Sequence, residues 1–340
     1  MTAWKNFWFS TGPRHSTGVL RILLAGWILL DSVSFLPGLS AVAARPESLF
    51  FPAAGLRWFG IGWPGDWIPV LVPAAWVLAA AAFVGAGTRV SLLGLAAVNW
   101  ILQGFASSWV YVGHASILPA VALVILAFSP GVRAWSLDAL LEALARRRAG
   151  DPQGLFHRLA GAPIPAWPVR LILAVLALTY LAAGIAKIRD GRADWFSGRT
   201  LQWYLEGQAG QKRLGDSTQF FVARRSAPAE ARFRDPWGLE RIANSAGPSR
   251  LGKLVARSRA ACAVASWLSA VLELAFVLVL FVPRAAQAAL LVSMALFHGG
   301  IALLMGIDFS GYVVLYLAVL DWNAVLRAVP SWFAGSSPRA

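Results

Sequence analysis

Long apolar runs separated by short polar segments dominate the pattern of this chain. Eight runs approach the roughly twenty residues that a helix needs to cross the hydrocarbon core of a bilayer. The pattern therefore predicts an all-α fold, a polytopic membrane helix bundle of about eight transmembrane helices. The runs lie near residues 17–36, 67–86, 90–108, 114–130, 168–188, 260–282, 285–305 and 309–322, and the last is the shortest.

Three connecting segments have patterns of their own. Segment 44–66 is rich in Pro, Gly and aromatic residues, which predicts an interfacial or re-entrant stretch packed on protein. The stretch SLDALLEALARRR, within 131–167, predicts a helix along the membrane surface. The basic segment 189–259 is too long for a simple connector, so we expect structure or a binding role there, with an amphipathic helix over 195–205.

We find no internal repeat and expect one transmembrane domain over residues 1–330, which includes the long basic loop, and a short tail over 331–340. The first run lacks a cleavage site of small residues, so we expect a retained span. Apart from the long loop, most Lys and Arg residues fall on the side of the N-terminus. This bias predicts a multi-pass protein of the cell membrane with a cytoplasmic N-terminus, although the long basic loop would then be translocated against its charge.

Composition supports the membrane class. The 340 residues are 58% hydrophobic and only 14% charged, with a mean hydropathy of +0.62, whereas soluble domains carry about 25% charged residues. The net charge of +14 resides in loops between apolar runs, so we expect membrane lipid, anionic lipid above all, and no nucleic acid as partner. One cysteine, Cys262, excludes an internal disulfide, and no Cys/His spacing predicts a metal site.

Five ionisable residues lie inside the apolar runs: Asp31, His114, Lys187, Glu273 and His298. Such residues are functional candidates, because the bilayer interior disfavours charge. His114 begins the fourth run and Lys187 ends the fifth, so both lie on one side of the membrane. His298 is about 21 Å into the seventh run, in the half nearest that side, and Asp31 is in the matching half of the first run. The placement predicts a polar pocket facing one leaflet.

Each candidate also has a structural interpretation. Lys187 can be an anchor that extends its ammonium to the headgroups, and His114 can cap a helix. His298 can bond a neighbouring helix, with Gly299 and Gly300 letting another backbone come close. Glu273 can pair with a basic or hydroxyl group to hold the bundle together.

The arginines near the predicted cytoplasmic ends are interpreted as membrane anchors; they are Arg21, Arg89, Arg170 and Arg284. A catalytic interpretation of the other candidates requires that they meet in space. A lysine in a low-dielectric pocket favours its neutral amine, which can act as a base near neutral pH. A neighbouring imidazole can then hold an anionic oxygen or relay a proton.

Several stretches together resemble the vitamin K-dependent γ-carboxylase-like membrane domain, also called the horizontally transferred transmembrane (HTTM) domain. The most specific are Gly-Ile-Ala-Lys at 184–187, followed by Trp-x-x-Gly at 195–198. Phe-His at 297–298 and Phe-Ser-Gly-Tyr at 309–312 complete the pattern. The resemblance runs in order over most of the chain, from VLRILLAGWILLDS in the first run, through SSWVYVGHASIL, to the last.

The resemblance implies a quinol-dependent base-catalysed oxidation (epoxidation), coupled in the carboxylases to carboxylation of a peptide glutamate. It implies catalytic roles for Lys187 as the base that deprotonates the quinol, for His114 in coupling the half-reactions, and for His298 in the same pocket. The implied co-substrate is a reduced quinone of vitamin K or menaquinone type, and no metal is expected.

One departure leaves the function open. The animal carboxylases carry a large lumenal region that binds the substrate propeptide, and no such region follows the last run here. We therefore expect that glutamate presentation is absent or supplied by another protein. The alternative is a non-enzymatic membrane partner in maturation or export of a secreted peptide, of the sporulation-delaying type. A transporter ranks lowest, because the sequence lacks a pair of broken helices in repeated halves.

Overall fold

The computed structural model of the chain is almost wholly helical. It describes residues 2–12, 15–43, 50, 52, 54–63, 65, 67–108, 117–150, 159, 163–206, 249–307, 309–317, 320 and 322, with side chains left out of account at 2, 33–43, 54, 106 and 107. The predicted site residue His114 and the middle of the long basic loop lie outside the described residues.

The helices, numbered in chain order, begin and end as follows. The N-terminal half contains α1 (Thr2–Phe9), α2 (Ser16–Ala43), α3 (Ala54–Trp58), α4 (Ile68–Val84), α5 (Thr88–Ser107), α6 (Ile117–Phe128) and α7 (Leu137–Arg148). The C-terminal half contains α8 (Trp167–Ala186), a π-helical turn (Lys187–Gly191), α9 (Arg192–Phe196), α10 (Arg199–Leu205), α11 (Arg250–Ala256), α12 (Arg259–Ala275), a 3₁₀ turn (Phe276–Leu280), α13 (Arg284–Met305) and α14 (Ser310–Tyr316).

Each of the eight predicted spans overlaps a helix, the last of them only over Ser310–Tyr316, and their number as membrane crossings stays a prediction. Within the described ranges, three stretches are long and apolar enough to cross a bilayer: Trp167–Phe196, Arg259–Leu280 and Arg284–Met305. The predicted boundary at residue 188 was wrong, because helix continues through the π-helical turn to Phe196. The beginning of the predicted 189–259 loop is therefore part of a long apolar helix.

The connecting segments contain the predicted helices. Helix α7 matches the amphipathic stretch, and α9 with α10 matches the segment 195–205. Helix α3, within the segment 44–66, packs on α5, since a Cβ at Gly55 would come within 2.6 Å of the Trp100 ring. Leu56 is buried, whereas Trp58 and Phe59 are exposed, so only one side of the described part packs on protein and the interfacial or re-entrant position stays a prediction.

One hydrophobic core joins the two halves of the chain. Leu24 on α2, Leu123 on α6, Leu176 on α8 and Phe276 in the 3₁₀ turn are fully buried in it. Helix α14 returns from the C-terminal half to α2, where the indole of Trp27 donates a hydrogen bond to the Ser310 hydroxyl at 2.8 Å. The C-terminal helices are therefore packed directly on the first long helix.

The prediction that Arg21 anchors the chain at the membrane surface was wrong. Its side chain is fully buried, and its guanidinium donates hydrogen bonds to four carbonyl oxygens at 2.6–3.3 Å. Two follow one another at the end of α4 and two precede α7; they belong to Ala82, Phe83, Ala134 and Trp135. Carbonyls at a helix end lack intrahelical partners, and water has little access to these four in the core. The Arg21 guanidinium supplies the hydrogen-bond donors instead.

A second contact fixes the same corner of the bundle. The Asp138 carboxylate, at the start of α7, accepts hydrogen bonds from the backbone N–H groups of Gly87 and Thr88 at 2.9 and 2.8 Å, and from the Thr88 hydroxyl. Partial burial opposes ionisation, but these hydrogen bonds outweigh it and hold the pKa of Asp138 below its usual value. The carboxylate thereby caps α5 and ties α7 to it.

Two short strands pair beside the start of α8. Strand β1 (Thr11–Gly12) pairs antiparallel with β2 (Ile164–Pro165), so the segment after α1 lies beside the start of α8. The guanidinium of Arg170 donates to the carbonyl of Asn6 at 3.2 Å and lies over the Phe7 ring at 4.5 Å. These contacts hold α1 against the first turn of α8.

Candidate functional site

Lys187 lies inside the longest apolar helix, at the first residue of the π-helical turn. Its Nζ lies 2.5 Å from a carboxylate oxygen of Glu273 on α12, and the two side chains are only 16% and 7% exposed. Lys187 is therefore not a headgroup anchor but one half of a nearly buried ion pair. Glu273 pairs with a basic group, as predicted.

The local sequence explains how two helices bring these groups together. A Cβ at Gly184 would lie 2.9 Å from the Leu274 side chain, so the glycine lets α8 and α12 approach closely one turn before Lys187. The π-helical turn then widens the helix and ends at Arg192, whose φ of +43° is rare for a residue with a side chain. Such irregular turns inside helices occur often at functional sites.

Trp195 forms the outer wall beside the ion pair. The Lys187 Nζ lies 5.0 Å from the centre of the Trp195 ring, within the range of a cation–π interaction. The indole nitrogen donates to the Ser266 carbonyl at 3.2 Å, which fixes the ring against α12. The tryptophan of the Trp-x-x-Gly stretch is thus a direct neighbour of the lysine.

The glycine of that stretch has a separate structural role. Gly198 has φ +75°, and a Cβ there would lie 2.3 Å from the backbone nitrogen of Ala263. It therefore permits both the turn between α9 and α10 and the close approach of that turn to α12.

His298 is buried in the middle of α13 and lies among aromatic rings. Its Nε2 is 2.7 Å from the Tyr180 hydroxyl, and its ring centre is 4.6 Å from that of Phe309. The Tyr180 hydroxyl also forms a short hydrogen bond with the Tyr316 hydroxyl. His298 therefore belongs to a buried polar cluster of three residues from three helices, which we call the Tyr180 cluster: Tyr180, His298 and Tyr316.

The expected close approach of another backbone at Gly299 and Gly300 is not found among the described residues. A Cβ at either position would meet no atom within 4 Å in the described part of the chain. His298 instead bonds α8 through Tyr180, on the side of α13 that carries the aromatic rings.

Lys187 and His298 lie in the same half of the bundle, and the contacts of the described residues include none between the two. Helices α10 and α11 follow the end of the Lys187 helix and pack on the last turn of α13, at Leu304. Tyr180 precedes Lys187 by about two helical turns on the same face, and its hydroxyl is within electrostatic range of the Glu273 carboxylate. Tyr180, which contacts His298, thus interacts with Glu273, which is paired with Lys187.

Sequence reasoning did not single out Tyr180 or Tyr316, and it named Trp195 only as part of the Trp-x-x-Gly stretch, without a role beside the lysine. A signal existed for Tyr180, since it precedes Lys187 by seven residues in an apolar run and therefore shares its helix face. No comparable signal marks Tyr316, whose place in the cluster depends on the packing of α14.

A family model described as HTTM domain matches residues 9–219 of the chain. No curated protein and no solved structure matches it. The matched range includes Lys187, Tyr180 and Trp195, whereas Glu273 and His298 come from helices that follow it in sequence. Since the match covers more than half of the 340 residues, the chain belongs to the HTTM domain family.

Proposed function

We propose that the protein is a multi-pass enzyme of the cell membrane that oxidises a reduced quinone, of vitamin K or menaquinone type, by base catalysis at the Lys187–Glu273 pair. The observation that carries this proposal is the ion pair itself. A charged pair is costly inside an apolar helix bundle, and residues of this kind inside membrane spans usually serve a function.

The pair has the chemistry of a proton acceptor. As an ammonium opposite a carboxylate the pair has no net charge, and transfer of the ammonium proton to the Glu273 carboxylate gives a neutral amine beside a carboxylic acid. The amine can then accept one proton as a base, which leaves both groups in their protonated forms. A quinol hydroxyl that gives up this proton becomes an anion, which the Lys187 ammonium stabilises at short range in a medium of low polarity. The reduced quinone and dioxygen then give the quinone epoxide and water, so that the quinol is oxidised and dioxygen is reduced.

The surroundings of the pair suit a lipid-soluble reactant. Ile185 and Ile188, on either side of Lys187, are 47% and 51% exposed on the outside of the helix bundle. An apolar molecule in the bilayer can approach the ion pair across this surface, and the Trp195 ring offers an aromatic face beside it. In the coupled form of the reaction, a glutamate of a secreted peptide loses a γ-proton and gains carbon dioxide; His114 and His298 are proposed to take part in that coupling.

The experiment measures epoxide formation and dioxygen consumption by purified protein supplied with reduced menaquinone or vitamin K. Lys187→Ala is expected to lower turnover at least about 100-fold, the usual contribution of a general base, and Lys187→Arg to do the same because a guanidinium does not give up its proton. Arg189→Gln, a change at an exposed neighbour that is paired with Asp190, is the matched control and is expected to keep full turnover.

Two outcomes would overturn the proposal: equal turnover in wild type and Lys187→Ala, or no turnover in wild type with either quinol. The second outcome would favour the alternative role as a non-enzymatic partner of a secreted peptide, which crosslinking to that peptide would detect.

A further inference from the structure

A large cleft opens at the end of the molecule that carries the N-terminus, away from Lys187. It has a volume of about 730 Å³, within the range of ligand sites. Its walls come from the β1–β2 pair, the first turns of α8 and α13, and α14. Phe281 and Val292, on its edge, are 73% and 58% exposed, so the cleft opens to the outside of the bundle.

The cleft has a cationic end and a long apolar floor. Arg170 and Arg284 line it where α8 and α13 begin, and no acidic residue is among the described residues of its lining. From Arg284 to Ala295, both in the lining, α13 extends over about 16 Å. Leu173, Leu291 and Leu317 complete the apolar part. The cleft is therefore complementary in shape and charge to an amphiphile with an anionic head and an extended apolar chain.

We infer that this cleft is a binding site for an anionic phospholipid, with the phosphate at Arg170 and Arg284 and an acyl chain along α13. Guanidinium groups bind phosphate oxygens by paired hydrogen bonds, and the bilayer supplies the ligand from the side. Arg170 is already held by Phe7 and by the carbonyl of Asn6, neither of which neutralises its charge.

The inference is independent of the proposed oxidation, because Lys187 and Glu273 do not line the cleft. Tyr316 lines its inner part, and its hydroxyl belongs to the Tyr180 cluster. With the cytoplasmic N-terminus that the sequence predicts, the opening faces the leaflet with the negative surface potential.

The test is native mass spectrometry of the full-length protein in detergent, titrated with dioleoylphosphatidylglycerol or dioleoylphosphatidylcholine. Wild type is expected to retain phosphatidylglycerol preferentially. Arg284→Gln is expected to weaken this binding about fivefold, and Arg170→Gln/Arg284→Gln about twentyfold, with phosphatidylcholine binding unchanged. Arg89→Gln, an exposed arginine at the start of α5 outside the cleft, is the matched control.

A second variant tests the apolar part. Ala295→Trp places a large ring in the floor of the cleft and is expected to abolish retention of both lipids, while the thermal unfolding temperature reports whether the fold survives. Arg284→Gln keeps the Arg170 contact with α1 and so remains informative if the double variant unfolds. Equal retention of both lipids by wild type, or an equal loss in Arg89→Gln, would overturn the inference. The inference would also be overturned if Ala295→Trp lost menaquinol binding but kept phosphatidylglycerol binding, because the cleft would then hold the quinol and not the phospholipid.

Discussion

The Tyr180 hydroxyl and the Nε2 of His298 lie 2.7 Å apart and join the middle of α8 to the middle of α13. Both residues are buried, and the same hydroxyl bonds that of Tyr316 on α14. Three helices that are apolar over most of their length therefore share one polar point. Because an unsatisfied polar group in such a core is costly, this point fixes how the helices align along their axes.

Tyr180→Phe tests the structural weight of this cluster. The ring that packs on Phe276 at 4.8 Å is kept, but the hydroxyl is lost and two buried partners lose a hydrogen bond. We expect a loss of about 1–3 kcal/mol in the free energy of unfolding, measured by denaturation in detergent micelles. Tyr204→Phe, outside the cluster, is the control, and an equal effect of the two changes would contradict the assignment.

The Lys187–Glu273 pair is expected to behave as a unit in stability. Lys187→Met or Glu273→Leu alone leaves one buried charge without its partner, at a cost of about 3–5 kcal/mol. The double variant removes both charges and is expected to be more stable than either single one. A double-mutant cycle by thermal unfolding measures this coupling; simple additivity would mean that the two groups do not interact.

Arg21 is expected to be the most sensitive arginine of the chain's described part. Arg21→Met removes the donors of four carbonyl oxygens, with a loss of about 4 kcal/mol or more at roughly 1–3 kcal/mol for each buried group. Arg21→Lys is expected to lose less stability than Arg21→Met but to remain below wild type, because an ammonium cannot span both carbonyl pairs as the planar guanidinium does. Arg89→Met, at an exposed position, should leave the unfolding temperature within a degree or two; a matching loss there would refute the clamp.

Two glycines are expected to respond to alanine in opposite directions. Gly198→Ala meets both a positive φ and the backbone of Ala263 at 2.3 Å, so we expect a loss of at least about 2 kcal/mol. Gly299→Ala, within α13, would place its Cβ more than 4 Å from any atom of the described residues, so we expect it to stabilise by about 0.5–1 kcal/mol through the lower entropy of the unfolded chain. Thermal unfolding of the two variants side by side decides the matter, and a similar shift in both would exclude the steric explanation.

The helices and their order could be predicted from the sequence, because apolar runs of about twenty residues have few structural alternatives in a membrane. The extension from Lys187 to Phe196 could not, since Lys, Arg and Asp in KIRDGRAD indicate a loop when only hydropathy is considered. Packing against α12 continues the helix there, with Glu273 satisfying the lysine.

The ionisable residues of the candidate site could be predicted from the sequence, but the contacts between them could not. Lys187, Glu273 and His298 could be picked out as candidates from the sequence, because ionisable residues are rare in apolar runs, whatever their partners. Their partners depend on helix rotation and on the close approach at Gly184, which bring Glu273 to Lys187 and Tyr180 to His298. Arg21 was predicted to be an anchor because it lies near the end of an apolar run, as membrane anchors do. Its burial depends on the position of the end of α4, which the sequence does not reveal.

Hydropathy and its period are local properties, and they are enough to establish that this chain is a bundle of apolar helices with a few ionisable side chains inside it. Which of those side chains meet, which arginine is buried and where a cleft remains depend on how the helices pack. These outcomes depend on contacts between residues far apart in the chain. The polar contacts among them form because an unpaired polar group is costly in a core of low polarity.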